Sequence, residues 1–281
     1  MKRSELPVSW YGLSDAETLA VLPHVWGVRK CAASRVAVLK TLLNHRDFLA
    51  LSADDATELT DNDLAFLWED DIEGLPFASF RVDGIDYELP ENGIDNLSLQ
   101  EFINCIFCFL EFTDACKNPE NTAALTEPAN ALAFNVARPS GSTSRLPPDW
   151  NGDNREAYNE FVCADRAKNT VVPLVVAVAI TRWFGSELKS YYDRYDILED
   201  PSPDNGSETE NETTWVEAAM AWKNTHFELS QDRALGDFWA ISKITMPDIG
   251  MYLTKLKQQA KARELAERMA QINAHGNPNS D

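Results

Sequence analysis

The longest apolar run in the chain, Val171 to Ile180, constrains the fold more than any other feature. It contains Pro173, lies between Lys168 and Arg182, and with ten residues has about half the length needed to cross a bilayer. It must therefore be buried in protein. Phe161 upstream and Trp183, Phe184 and Leu188 downstream continue the apolar surface, so Arg155 to Tyr195 reads as two helical stretches meeting near Pro173. A helix that is apolar on nearly every side lies in the middle of a bundle. The expected fold is mainly α, an irregular helical bundle whose outer helices each carry one apolar face.

Those outer helices carry start signals. Ser14 with Glu17, and Ser98 with Glu101, have the Ser-x-x-Glu form in which a side chain and a backbone amide cap each other. After the first come Leu19, Leu22, Val25 and Trp26, with Pro23 expected to bend or end the helix. Val36, Leu39, Leu42 and Leu43 mark a second face, and Leu59, Leu64, Phe66, Leu67 and Trp68 a third. The Ser98 cap opens a strongly apolar helix through Phe102, Ile103, Ile106, Phe107, Phe109, Leu110 and Phe112. Pro119-Glu120 can start another, carrying Leu125, Leu132 and Phe134, with Pro128 in its middle. Between these helices, alternating residues on either side of Asp83-Gly84 predict one short β-hairpin over about residues 77–89, because glycine tolerates the positive φ such a turn requires.

The breaker-rich stretch from Pro139 to Pro148 is the best internal boundary. It divides a helical layer with the hairpin, residues 1–137, from a helical bundle, residues 155–275, unless the two form one continuous domain. Residues 199–212 hold six acids and no base among Pro, Asn, Ser and Gly, a composition expected to form a flexible acidic loop. Helices are expected again at Trp215 to Phe227 and from about Met246 to Ile272, where Thr245 and Asp248 suit an amino-terminal cap.

Forty-five acidic against 25 basic side chains leave a net charge of −20, which disfavours direct binding to nucleic acid or to an anionic membrane. Five irregularly spaced cysteines make no disulfide framework, and Met1 to Pro7 leads into no apolar segment of a secretory signal. The expected location is the cytoplasm. Cys105 and Cys108 have the spacing of a redox or metal pair, but lie among phenylalanines with no second pair, and read as core. His24, His45, His226 and His275 are scattered, so no metal or cofactor is expected. Glu69 to Glu73 and Asp149 to Asn154 are acidic turns; the second lacks the ligand alternation of a calcium loop, and Asp153 or Asn154 is expected to cap a helix. Phosphate-loop, dinucleotide, nucleophile-elbow and zincin motifs are absent, so no catalytic residues are proposed and the chain is not expected to be an enzyme. The last helix places Ile249, Leu253 and Leu256, then Ala260, at 4-3-4 spacing, beside Lys255, Lys257, Lys261, Arg263 and Arg268. This seam either packs on the chain's own bundle or receives a partner.

Several stretches occur together: Trp10-Tyr11-Gly12-Leu13, the hairpin followed by Leu97-Ser98-Leu99-Gln100-Glu101-Phe102, Asn151 to Asn159, and the apolar helix ending Trp183-Phe184-Gly185. Their order resembles an uncharacterised family of tailed phages and prophages of Bacteroidetes-type bacteria, found in tail-module gene neighbourhoods near the tape-measure protein. Here Ser98-Leu99-Gln100-Glu101 stands where a Thr-Phe-Gly-Glu-like run is commoner. The resemblance implies a tail-assembly chaperone whose partner is a tape-measure or tail-tube protein. The alternatives are a structural component of the tail or neck, or an acidic nucleic-acid mimic that inhibits a host DNA-binding protein.

Overall fold

The structure is a computed structural model and describes residues 6–26, 29–69, 74–118, 121–141, 153–196, 215–232 and 235–275. Ser14 accepts from the Glu17 amide at 3.3 Å while Glu17 accepts from the Ser14 amide at 2.8 Å, which starts α1 (Asp15–Val25). Pro23 falls in its last turn. α2 (Ala32–Leu42) leads through the Asn44 cap into α3 (His45–Leu49), and Ser52 caps α4 (Ala53–Glu58). The third face expected over 59–68 is not one α-helix. Leu59–Asp63 widens into a π turn and Ala65–Leu67 tightens into a 3-10 turn. The widened turn is held from the α2 side, where Lys30 and Arg35 reach Asp61 at 2.9 and 2.8 Å and Arg35 donates to Thr60 at 2.7 Å. These bonds keep the Asp61 carboxyl near a pKa of about 2.

The hairpin is formed by β1 (Ser79–Val82) and β2 (Ile85–Glu88), paired Phe80 to Tyr87 and Val82 to Ile85. Its two turn residues, Asp83 and Gly84, have φ of 50° and 80°, the left-handed pair that matches strand twist. The Phe80 and Tyr87 rings stack at 5.5 Å, and Tyr87 is buried. Ser98 then caps α5 (Leu99–Ala115), and Asn121 caps α6 (Thr122–Val136), which tolerates Pro128. β3 (Arg138–Pro139), which the sequence pattern assigns to a loop, adds a third strand by pairing with β2. The Gly141 amide donates to Asn154 at 2.7 Å and the Glu156 amide to Pro139 at 2.8 Å, so the two flanks of the expected boundary are hydrogen-bonded to each other.

Asn159 caps α7 (Glu160–Asn169), and Pro173 precedes α8 (Leu174–Tyr195), as the break in the apolar run predicts. The buried Asn130 side chain ties this junction, accepting from the Val172 amide at 2.8 Å and donating to the Ala167 and Thr170 carbonyls. α9 (Trp215–Asp232), α10 (Phe238–Ile241), capped by Asp237, and α11 (Met246–His275) complete the chain. The fold is mainly α with a small antiparallel sheet.

α8 is the central helix. Its Val178, Ile180, Trp183, Phe184 and Tyr191 are buried, and it packs on α1, α5, α6 and α11. The apolar run begins outside this core, since Val171 is exposed. Buried side chains from Leu6 to Ile249 form one cluster drawn from both sides of the 139–148 stretch. Arg182, a buried charge on α8, donates to the Leu67 carbonyl at 2.9 Å and lies over the Trp10 and Trp26 rings. The acidic loop expected over 199–212 lies outside the described residues, as do 70–73 and 149–152 of the two acidic turns.

Candidate partner-binding groove

The start of α11 is tied to the start of α5. Thr245 bonds Asp248 at 3.0 Å, the Met246 amide donates to Leu97 at 3.1 Å, and the Leu99 amide donates to Ile244 at 2.9 Å. This anchorage decides the fate of the 4-3 seam. Ile249 is fully buried in the common core, Leu253 is half-buried, and Leu256 is 37% exposed. Ile249 is therefore core and presents nothing to a partner, whereas Leu253 and Leu256 lie where α11 rises from the body.

At that rise α8, α9 and α11 meet around a groove of about 280 Å³ lined by Tyr195, Ala221, Trp222, Thr225, Leu253 and Lys257. Each wall has a local reason. Gly250 lets α11 approach the Tyr195 ring directly, and Thr254 donates to the Tyr195 carbonyl at 3.1 Å. α8 ends at Tyr195 with Asp196 as its left-handed cap (φ 48°), and the Lys257 ammonium caps that end by reaching the Asp196 carbonyl at 2.6 Å and its carboxylate at 3.1 Å. Trp222 is held flat against Tyr192 and donates to its hydroxyl at 2.9 Å, while Phe102 meets its face edge-on at 4.8 Å. Burial raises the pKa of the Tyr191 and Tyr192 hydroxyls, so both stay neutral; Tyr191 donates to the Met246 carbonyl at 2.8 Å, while Tyr192 accepts from Trp222. The result is an aromatic floor with the Lys257 ammonium and the Asp196 carboxylate on its lip, suited to hold an apolar side chain.

The other sequence candidates are dispersed. His24 lies in α1, His45 in α3 and His275 at the end of α11. His226 is buried in α9, stacked on Phe238 at 4.0 Å. Cys105 is buried and Cys108 largely so; desolvation pushes the first thiol well above its ordinary range and the second up to about 12, as fits core residues.

Asp153 does not cap a helix. It belongs to a buried ion cluster that sequence reasoning missed. Arg155 donates to Asp153 at 2.8 and 2.7 Å, Arg138 donates to Asp153 at 3.1 Å, and Glu101 lies 2.7 Å from Arg138 and 3.2 Å from Arg155. Burial raises the Asp153 carboxyl, but the Arg155 hydrogen bonds and the two arginine charges outweigh it and hold the pKa below the usual range. Two positive and two negative charges balance, as burial demands. The Glu101–Arg138 approach is an ion contact without hydrogen-bond alignment, and Arg138 Nε finds no hydrogen-bond partner among the described residues. The Tyr158 ring covers Arg138 at 5.4 Å, its hydroxyl donating to Asn135 and accepting from Asn104. Glu101, Arg138 and the Asp153-x-Arg155 stretch are far apart in the sequence, and the fold brings them together.

Among the described residues no group of three His, Cys, Asp or Glu is placed to hold a metal ion, and no helix is long and apolar enough to cross a membrane. Compared with protein-family models, with curated proteins and with solved structures, the chain matches none.

Proposed function

We propose that this chain acts by binding rather than by catalysis, as a tail-assembly chaperone-like protein that holds an apolar segment of a phage tape-measure or tail-tube protein soluble in the host cytoplasm. The observation that carries the reading is the groove at Tyr195, Trp222 and Leu253, an aromatic floor left open at the surface of an otherwise strongly acidic chain. A long apolar helix aggregates until its face is covered, and a soluble, highly charged cover with an apolar groove meets that need. The resemblance to phage tail-module proteins supports the same class of partner.

Co-expression with the tape-measure product tests this. Ala221→Asp puts a charge on an exposed position of the groove wall, so it is expected to lower the soluble yield of the partner while the chain itself stays folded. Failure of the folded wild type to keep any tail protein soluble would sink the reading. Recovery of the protein from purified particles would replace it with the structural-component alternative.

A further inference from the structure

Beyond Lys257, α11 leaves the body: every residue from 258 to 271 is exposed, yet the helix continues unbroken to His275. At 1.5 Å per residue the stretch from Gln258 to Gln271 is about 20 Å of helix that packs against none of the described helices. A helix of that length on its own is marginal in water, and most helical stability in proteins comes from packing an amphipathic face. This one has such a face. Ala262, Leu265, Ala266 and Met269 fall on one side at 3-4 spacing, with Leu265 63% and Met269 53% exposed. Lys261 and Arg268 border one edge of that face, Arg263 the other, and Glu264 and Glu267 lie on the back. From Lys255 to Arg268 there are five bases and two acids in a chain of net charge −20.

The same chain carries a surface of opposite character. Where α2, α3 and α4 meet, a groove of about 370 Å³ has Leu43, Leu51 and Leu59 as its floor and Asp47, Asp55 and Glu58 on its rim. Leu49 of α3 is also an exposed apolar side chain. An apolar floor with an acidic rim is the complement of an apolar stripe with basic edges.

We infer that the distal part of α11 docks, through Leu265, Met269 and its flanking bases, into the α2–α3–α4 groove of a second copy of this chain. The occupant is a second copy because α11 packs on α5, α8 and the turn at Gly93–Asn96 while its residues 258–271 are all exposed, so the chain's own groove does not receive the arm in this structure. An anionic membrane, the other surface that attracts a basic amphipathic helix, would meet the −20 of the body. The contact is head-to-tail, so each dimer keeps one arm and one groove open and can add further copies. A single docked helix buries a small area, which places the association in the weak, salt-sensitive class. The inference is independent of the tail-protein reading, since neither Leu265 and Met269 nor any residue of the α2–α3–α4 groove lines the groove at Tyr195 and Trp222.

Sedimentation velocity of the full chain across the micromolar range is expected to show a mass that rises with concentration at low salt and falls back at high salt. An arm variant, Leu265→Glu with Met269→Glu, and a groove variant, Glu58→Lys with Ala50→Lys at a further residue lining that groove, change only exposed positions, so circular dichroism should show both folded. Each alone should stay monomeric. Mixed together they should form a dimer and nothing larger, because each supplies the surface the other lacks. Monomeric wild type at all concentrations would overturn the inference, and so would self-association lost in the arm variant but kept in the groove variant, which would mean arm-to-arm pairing. Cosedimentation of monomeric wild type with phosphatidylglycerol vesicles, lost in the arm variant, would give the arm to a lipid surface instead.

Discussion

The ring of Tyr195 occupies the space a side chain at position 250 would need: a Cβ built on Gly250 would stand 2.6 Å from the ring's Cγ and Cδ2 atoms. Gly250→Ala should therefore push α11 off α8 or tilt the ring. Overpacking of this kind costs about 1–3 kcal/mol, against about 1 kcal/mol regained from helix propensity. The expected result is a lower urea midpoint, together with a changed intrinsic fluorescence from Trp222 in the groove. An unchanged or raised midpoint would show that the helix–ring contact yields without cost.

Removing one charge from the buried cluster should cost far more than removing an exposed one. Glu101→Gln leaves Arg138 and Arg155 sharing Asp153, and breaking a buried ionic group by deleting one partner costs about 3–5 kcal/mol. Asp95→Asn breaks the Arg194 pair at 2.7 Å, but that pair is partly solvated and should be worth no more than about 1 kcal/mol. Urea denaturation of the two variants checks the ordering, and equal losses would contradict the membership of Glu101 in a buried, charge-balanced cluster.

Stability should fall as pH drops below neutrality, in part through His226. Burial against Phe238 lowers its pKa in the folded protein, although the Phe238 carbonyl 3.2 Å away opposes the shift. The unfolded chain takes up this proton near its ordinary pKa of about 6.5, so below that pH the unfolded state binds more protons and is favoured. The loss begins near that value and stops growing once pH has passed the lowered folded-state pKa. His226→Phe should flatten this part of the curve when urea midpoints are compared between about pH 8 and about pH 5. An identical slope in the variant would assign the effect to other groups.

Of the five free cysteines, Cys31 is the exposed one, and hydrogen bonds from the Ser34 amide and side chain together with the Ala33 amide lower its thiol pKa. Burial raises the thiols of Cys105, Cys108, Cys116 and Cys163. Native protein treated with a chromogenic disulfide should release one fast equivalent, lost in Cys31→Ser, and all five equivalents in denaturant. Rapid reaction at Cys105 or Cys108 would contradict their burial.

The parts of the fold legible in the sequence are those set by neighbours along the chain. Ser14 with Glu17, Ser98 with Glu101, Asp83-Gly84 and Pro173 act within a few residues, and each marks a helix start or turn where the structure has one. The π turn at Leu59–Asp63 is held by Arg35 of α2 and by Lys30 just before it, and local periodicity carries no sign of them. β3 was hidden for a similar reason, since Arg138-Pro139 next to Ser140-Gly141 looks like a loop until β2 pairs with it. Glu101 was legible in one role only. The capping pattern accounts for one carboxylate oxygen, and nothing local shows that the other faces two distant arginines. Along α11 the 4-3 repeat runs on past the point where the helix leaves the body, so spacing alone could not divide the core residue Ile249 from the surface residue Leu256.

The bonds that join Gly141 to Asn154 and Ser140 to Arg155 close the neck of the segment between them, with the ion cluster locking the same neck from inside. Three parts of the chain that are far apart in sequence, the start of α5, β3 and the approach to α7, are thereby fastened at one point, so that a single change of charge at Asp153 would loosen all three together.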